Sequence, residues 1–352
     1  MLMFSNEKQS SISTRSSWFS TWPKWAGYAA AGWSLIYAVF GIYWGLGGSH
    51  FPFGENDPRA MMMGSFLTSL RADTGGLTIA ATNLIGFAVA LAMVKTSGRL
   101  ILGWVLLFFS WLMCVTLLLV IPDVRIVQNF AYLFVLHVEL VDWLVLNQVF
   151  CIAGGFLWGA AALSYHRKLN EACGCCGRKD DSHGASVKSA ARWGKRFTYI
   201  AVVMALPYAI VRWAWAFGIP FGTTLDTNSS PPLIMMELFL GAMCIGGGIL
   251  TLGLTQRWGE VFPRWFLFMA GKPVPVWLAV VPSTLMAAII TLAGVKMAPL
   301  IILMMLNGSI TMENWGEAGP FLSWLPWGVS LGTATAAYYI RRRGRCRHCG
   351  RL

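Results

Sequence analysis

Long apolar runs alternate with short polar connectors along this chain. Eight of them, Ala26 to Leu46, Gly76 to Val94, Leu100 to Ile121, Asn147 to Tyr165, Phe197 to Phe217, Leu233 to Leu254, Val274 to Ala293 and Phe321 to Ile340, approach the roughly 20 residues that a helix needs to cross hydrocarbon. The pattern predicts an all-α, polytopic transmembrane helical bundle of about eight spans. Two shorter apolar stretches, Ala131 to Leu146 and Met297 to Leu306, each lead into the last span of a half and are expected to lie at the interface or to re-enter the membrane. Pro207, Pro282 and Pro326 fall within spans and are expected to kink them. Gly246, Gly247 and Gly248 would let a neighbouring helix come close. Residues 1–24 are polar and Ser-rich, lack the features of a signal peptide, and read as a disordered cytoplasmic tail.

The chain also repeats itself. Cys173 to Arg178 reads Cys-Gly-Cys-Cys-Gly-Arg, Cys346 to Arg351 reads Cys-Arg-His-Cys-Gly-Arg, and each follows a span ending in Tyr and basic residues. Tyr37-Ala38, Trp44 and Phe51-Pro52-Phe53-Gly54 are echoed by Tyr208-Ala209, Trp215 and Ile219-Pro220-Phe221-Gly222, and Asp142-Trp143 by Asn314-Trp315. Offsets of 168 to 173 residues predict a duplicated four-span unit, residues 25–178 and 197–352, joined by a basic linker at 179–196. An even number of spans gives both copies one orientation, a parallel arrangement that transporters use but that is not diagnostic of transport.

Composition agrees with the pattern. Hydrophobic residues make up 56% and charged residues 12%, against about 25% charged in soluble domains, so most of the surface must meet lipid. A net charge of +12 would suggest nucleic acid in a soluble protein. Here 22 of the 27 Lys and Arg fall in segments that share a side with the N-terminus, so the excess reads as topology, with both termini cytoplasmic and no nucleic-acid partner. Arg59, Arg71, Arg125 and Lys296 are expected outside, and Arg212 within a span.

By these motifs and by the run Asn314-Trp315-Gly316-Glu317-Ala318-Gly319-Pro320, the chain resembles, over nearly its whole length, uncharacterised multi-pass membrane proteins of Gram-positive bacteria. The resemblance implies a bacterial cell-membrane location and brings no chemistry with it.

Five of the eight cysteines sit in the two basic segments. A Cys-x-x-Cys-Gly turn offers two thiolates, backbone amides that donate to sulfur, and a glycine for the unusual backbone angle the turn can require. Cys173, Cys176, Cys346 and Cys349 are therefore candidate ligands of one zinc ion clipping the end of the first half to the end of the second, with neighbouring Arg and Lys favouring thiolate. Cys175 and His348 are possible substitute ligands. Competing readings are a reversible disulfide within each pair and thiols without a role. Cys114, Cys151 and Cys244, in apolar helices, read as small core residues.

Arg212 and Glu237 occupy matching depths in neighbouring spans, so an interhelical ion pair is geometrically open to them. Charges within a membrane either fix helix packing or face a wet cavity. Asp123, Arg125, His137, Glu139 and Asp142 crowd titratable groups at the outer edge, where Glu139 and Asp142, three residues apart, can share a helical face. Arg212, Glu237, His137, Glu139 and Asp142 form the candidate cavity for a small solute or ion; the simpler reading is a packing pair beside a solvated edge. No protease-type metal motif, nucleotide loop or nucleophile elbow is present, so no catalytic residue is assigned. The leading expectation is transport of a small solute or ion through an outward-facing polar cavity. The alternative is a membrane sensor or assembly subunit that responds to zinc or redox state at the paired cysteines.

Overall fold

A computed structural model describes residues 21–96, 101–133, 141–179, 183–224, 231–264, 269–344, 346, 349 and 350. Its helices are α1 (Trp22–Gly45), α2 (Ala72–Lys95), α3 (Ile101–Val115), α4 (Val124–Leu133), α5 (Trp143–Leu169), α6 (His183–Ala216), α7 (Pro231–Leu252), α8 (Val276–Leu306), α9 (Trp315–Ala318) and α10 (Trp324–Arg342). Among the described residues there is no strand, only an isolated bridge between Val261 and Pro273. Seven elements are long and apolar enough to cross a bilayer: α1, α2, α3 with its π-helical continuation Thr116–Val120, α5, α6, α7 and α8. At 19 residues α10 is also long enough, but it is less apolar because Trp, Gly, Thr and Tyr populate it where it packs on α6 and α8. Large apolar side chains such as Val39, Phe108, Val203, Leu250 and Val281 cover the outside, as expected of a bundle whose solvent is lipid.

Two clusters of helices follow one packing order. In the first, α1 lies against α2 and α5, and α5 against α3; in the second, α6 lies against α7 and α10, and α10 against α8. The corners repeat as well. After α1, Gly47 N–H donates to Trp44 O at 3.0 Å and Gly48 N–H to Tyr43 O at 2.9 Å; after α6, Gly218 N–H donates to Trp215 O at 3.0 Å and Ile219 N–H to Ala214 O at 2.8 Å. Such paired bonds close a helix end on a residue in left-handed conformation, here Gly47 and Gly218.

The halves differ in how their first two helices meet. Gly41 of α1 faces Ala80 and Gly76 of α2 so closely that a Cβ at Gly41 would lie 2.6 Å from the Ala80 nitrogen. Lipid gives apolar side chains no reason to leave it, so backbones in direct contact, with their dense van der Waals packing, hold such a pair together. Aligning Tyr37-Ala38 with Tyr208-Ala209 puts Arg212 in the place of Gly41. The second pair therefore cannot close in the same way, and α6 meets α7 through Trp213, whose ring covers Gly241 and whose indole N–H donates to Leu238 O at 3.2 Å.

Several expectations change. Met297 to Leu306 is no separate re-entrant segment, because α8 runs through it for 31 residues. Lys296 is correspondingly inside α8 and buried, not in an outer loop, and the partners that make this possible are described below. The stretch Ala131 to Leu146 divides: α4 ends at Leu133, residues 134–140 lie outside the described residues, and Trp143 opens α5. Asp142 caps that helix, its carboxylate accepting from Val145 N–H at 2.9 Å. The basic linker 179–196 is helical from His183 and forms the first turns of α6. Pro326 falls in the first turn of α10, where there is no backbone hydrogen bond to lose. Of the N-terminal tail, residues 22–24 already belong to α1, while residues 1–20 lie outside the described residues.

Gly41→Leu is expected to overpack the α1–α2 contact, cost about 1–3 kcal/mol and lower the thermal midpoint of the detergent-purified protein. Gly32→Leu on the same helix, where an added Cβ meets nothing within 4 Å, is expected to leave the midpoint unchanged. Equal midpoints for the two variants would rule the backbone contact out.

Candidate functional site

The two Cys-x-x-Cys turns are one loop built twice. In each, the carbonyl of the first cysteine accepts from the glycine four residues on: Gly177 N–H to Cys173 O at 2.7 Å and Gly350 N–H to Cys346 O at 2.8 Å. Both glycines hold positive φ, 73° and 72°, a conformation that a residue with a Cβ resists. The loops follow the ends of α5 and α10 and bring the sulfurs of Cys173, Cys176, Cys346 and Cys349 within 4.8 Å of one another. Cys176 and Cys349 stand 3.6 Å apart. Four sulfurs about 2.3 Å from a tetrahedral zinc ion lie about 3.8 Å from each other, so a small inward movement fits the four to the metal. None of the cysteines is in a disulfide. Cys175 stands outside the group of four, and His348 lies outside the described residues.

Arginines lace the loops together. The buried Arg178, following the first loop, donates to Gly344 O at 3.1 Å and Arg343 O at 3.3 Å, and Arg343, preceding the second, donates to Cys176 O at 3.0 Å. Arg167 of α5 donates to the carbonyls of Gly174 and Cys175 at 2.7 and 2.9 Å. Burial opposes ionisation of Cys173, but the amides of Cys176 and Cys175 outweigh it and hold its pKa below the ordinary thiol value. Burial pushes Cys176 up to about 12, with the neighbouring sulfurs adding to the rise against the amide of Arg178. Thiols this close do not all give up their protons unless a cation sits among them, the coupling expected of a metal site that binds as protons leave.

The expected pair between α6 and α7 is present. Arg212 Nη1 donates to both carboxylate oxygens of Glu237, at 2.9 and 3.0 Å, and the guanidinium lies over the rings of Tyr208 and Trp215 at 4.7 and 5.1 Å. Asp142 is engaged elsewhere, capping α5 and pairing with Arg59 at 2.7 Å in an exposed position. His137 and Glu139 lie outside the described residues. Of the five residues expected around one cavity, Arg212 and Glu237 are the two seen together among the described residues.

A further polar centre replaces part of the solvated edge expected from the sequence. Asp57, Asp123 and Arg125 are buried; Arg125 Nη2 bonds to carboxylate oxygens of both aspartates, and its Nε donates to both oxygens of Asp123 at 3.0 Å. Asp123 N–H donates to Gln148 Oε1 at 3.2 Å. Lys296 enters beside them from α8, 2% exposed, with Nζ donating to Val120 O at 2.6 Å and lying 3.8 Å from the centre of the Phe66 ring. Val120 closes the π-helical turn, in which Ile121 N–H reaches back to Thr116 O, and such turns disturb the regular pairing of nearby carbonyls. Two carboxylates and two cations are thus buried in one region. The one signal for this in the sequence is that Lys296 is the only charge between Val274 and Leu306.

Set against known protein families, curated proteins and solved structures, the chain matches none.

Arg125→Met strands two buried carboxylates and is expected to cost about 3–5 kcal/mol, seen as loss of folded, monodisperse protein extracted from membranes. Arg71→Met, at an exposed pair with Asp73, is expected to extract like the wild type.

Proposed function

We propose that this is a multi-pass membrane protein built from two copies of a four-span unit, whose ends are joined by a zinc ion at Cys173, Cys176, Cys346 and Cys349. It acts as a sensor or assembly subunit, with occupancy of that site setting how the halves pack. The observation that carries the reading is the convergence of two like loops, one from each half, on four sulfurs within 4.8 Å. Four thiolates suit zinc, and a set of four leaves no open coordination position, so the ion's work is to fix a distance and not to activate a substrate. The distribution of Lys and Arg supports a cytoplasmic position for the site and both termini, a compartment that keeps thiols reduced and available. Elemental analysis of detergent-purified protein is expected to give about one zinc per chain, lost when Cys346 and Cys349 are both changed to Ser. Chelation in native membranes is expected to speed protease cleavage between α5 and α6. Wild-type protein without zinc, or a double variant that keeps it, rejects the proposal.

The Arg212–Glu237 pair favours a second reading, transport of a small solute or ion. Charges between two spans are costly and commonly mark a pathway, and this pair stands where the first half makes its glycine contact. In proteoliposomes screened with labelled ions and small solutes, a flux carried by the wild type is expected to vanish in Arg212→Ala with insertion intact. Undiminished flux in that variant would sink the reading.

A further inference from the structure

The second half encloses space where the first half is closed by aromatic rings. In the first half Trp33 stacks on Tyr37 at 5.1 Å and Trp158 packs on Phe109 at 5.8 Å. Both of these indoles have acceptors: Trp33 donates to Phe150 O at 3.0 Å and Trp158 to Ser34 Oγ at 3.2 Å. Between α6, α7, α8 and α10, with Val127 of α4 also in its wall, there is instead a cavity of about 270 Å³ with almost wholly apolar walls, Phe239, Met243, Met286 and Leu331 among them. Trp324 and Trp327 line it too, and their indole N–H groups are buried without an acceptor in the protein. Trp327 is 7% exposed. A donor left unpaired in hydrocarbon is costly, and two in the wall of one cavity point to an acceptor that arrives with a ligand.

The surroundings say where the ligand comes from. Of the seven apolar spans α7 is the least buried, 17% against 28% or more for the others. It scarcely touches α8, so the contact between those two helices that would seal the cavity from lipid is small. Gly247 leaves the α7 wall open, since an added Cβ there meets nothing within 4 Å. Ligand pockets usually run from about 300 Å³ upwards, so this one holds a ring or one chain while the rest of the molecule stays in the bilayer.

We infer that the cavity binds a bilayer-dissolved molecule with an apolar body and a carbonyl oxygen, and that the carbonyl accepts from the indole N–H of Trp327 or Trp324. Two sources carry this chemistry, the acyl ester of a membrane lipid and a prenylated quinone. The site shares no residue with the cysteine centre and stands or falls separately from it.

The test uses full-length protein in detergent and native mass spectrometry with two probes, a decyl benzoquinone and dioleoyl phosphatidylglycerol. At least one probe is expected to bind the delipidated wild type at one per chain. The quinone alone, or the lipid alone, identifies the source, and mutual displacement of the two supports the shared carbonyl chemistry. Gly247→Leu, at a cavity-lining position where an added Cβ meets nothing within 4 Å, is expected to abolish binding with its elution profile and thermal midpoint unchanged. Trp327→Phe keeps the apolar wall and removes a donor, and is expected to weaken binding by about five- to tenfold. Failure of both probes to bind the wild type, or binding to Gly247→Leu equal to wild type, overturns the inference, as does a Trp327→Phe and Trp324→Phe double variant that binds undiminished.

Discussion

A charge taken out of water has to find its partners within the protein, and the bonds from Arg125 to Asp57 and Asp123 are what allow this fold to bring the loop after α1 and the start of α4 into one buried place. Once those three groups are paired, the site still carries an excess of negative charge. Lys296 supplies the balancing cation from the other half, held by Val120 O and the Phe66 ring. With its one charge satisfied from the side, α8 continues through Met297 to Leu306. Removing Arg125 would undo more than an ion pair, because buried partners left behind are costlier than the pair is valuable.

The halves are consequently held at two separated places. Lys296 lies 20 residues along α8 from Val276, about 30 Å at the rise of a helix, while the start of α8 stands near the end of α10, where Arg342 donates to Val274 O at 3.0 Å. The cysteine loops, with Arg178 and Arg343 crossing between them, make the second junction at that end. Two junctions about 30 Å apart along α8 fix the angle between the halves as well as their distance.

Similar packing orders have been put to different uses. Gly41 lets α1 and α2 touch backbone to backbone, and the rings of Trp33, Tyr37 and Trp158 close the core behind them. Arg212, in register with Gly41, needs Glu237 and the faces of Tyr208 and Trp215, so α7 is held on a charged contact and a cavity remains beside it. A side chain the size of arginine excludes the close backbone approach that glycine admits.

What the sequence determined by itself is what depends on neighbours along the chain. Apolar run length specified membrane-crossing helices, because the thickness of hydrocarbon is a one-dimensional ruler. The spacing Cys-x-x-Cys-Gly specified two like turns, and the matching depths of Arg212 and Glu237 left an ion pair open to them. The tertiary structure alone decided which charges are buried and which turns meet. Asp57, the neighbours Asp123 and Arg125, and Lys296 come from three separate segments, and each reads singly as a residue at a polar edge. Their burial became favourable only when all were brought together, since the cost of removing a charge from water is set by partners in space and not by position in the chain. The same holds for the four sulfurs, whose common site exists only where the ends of α5 and α10 converge.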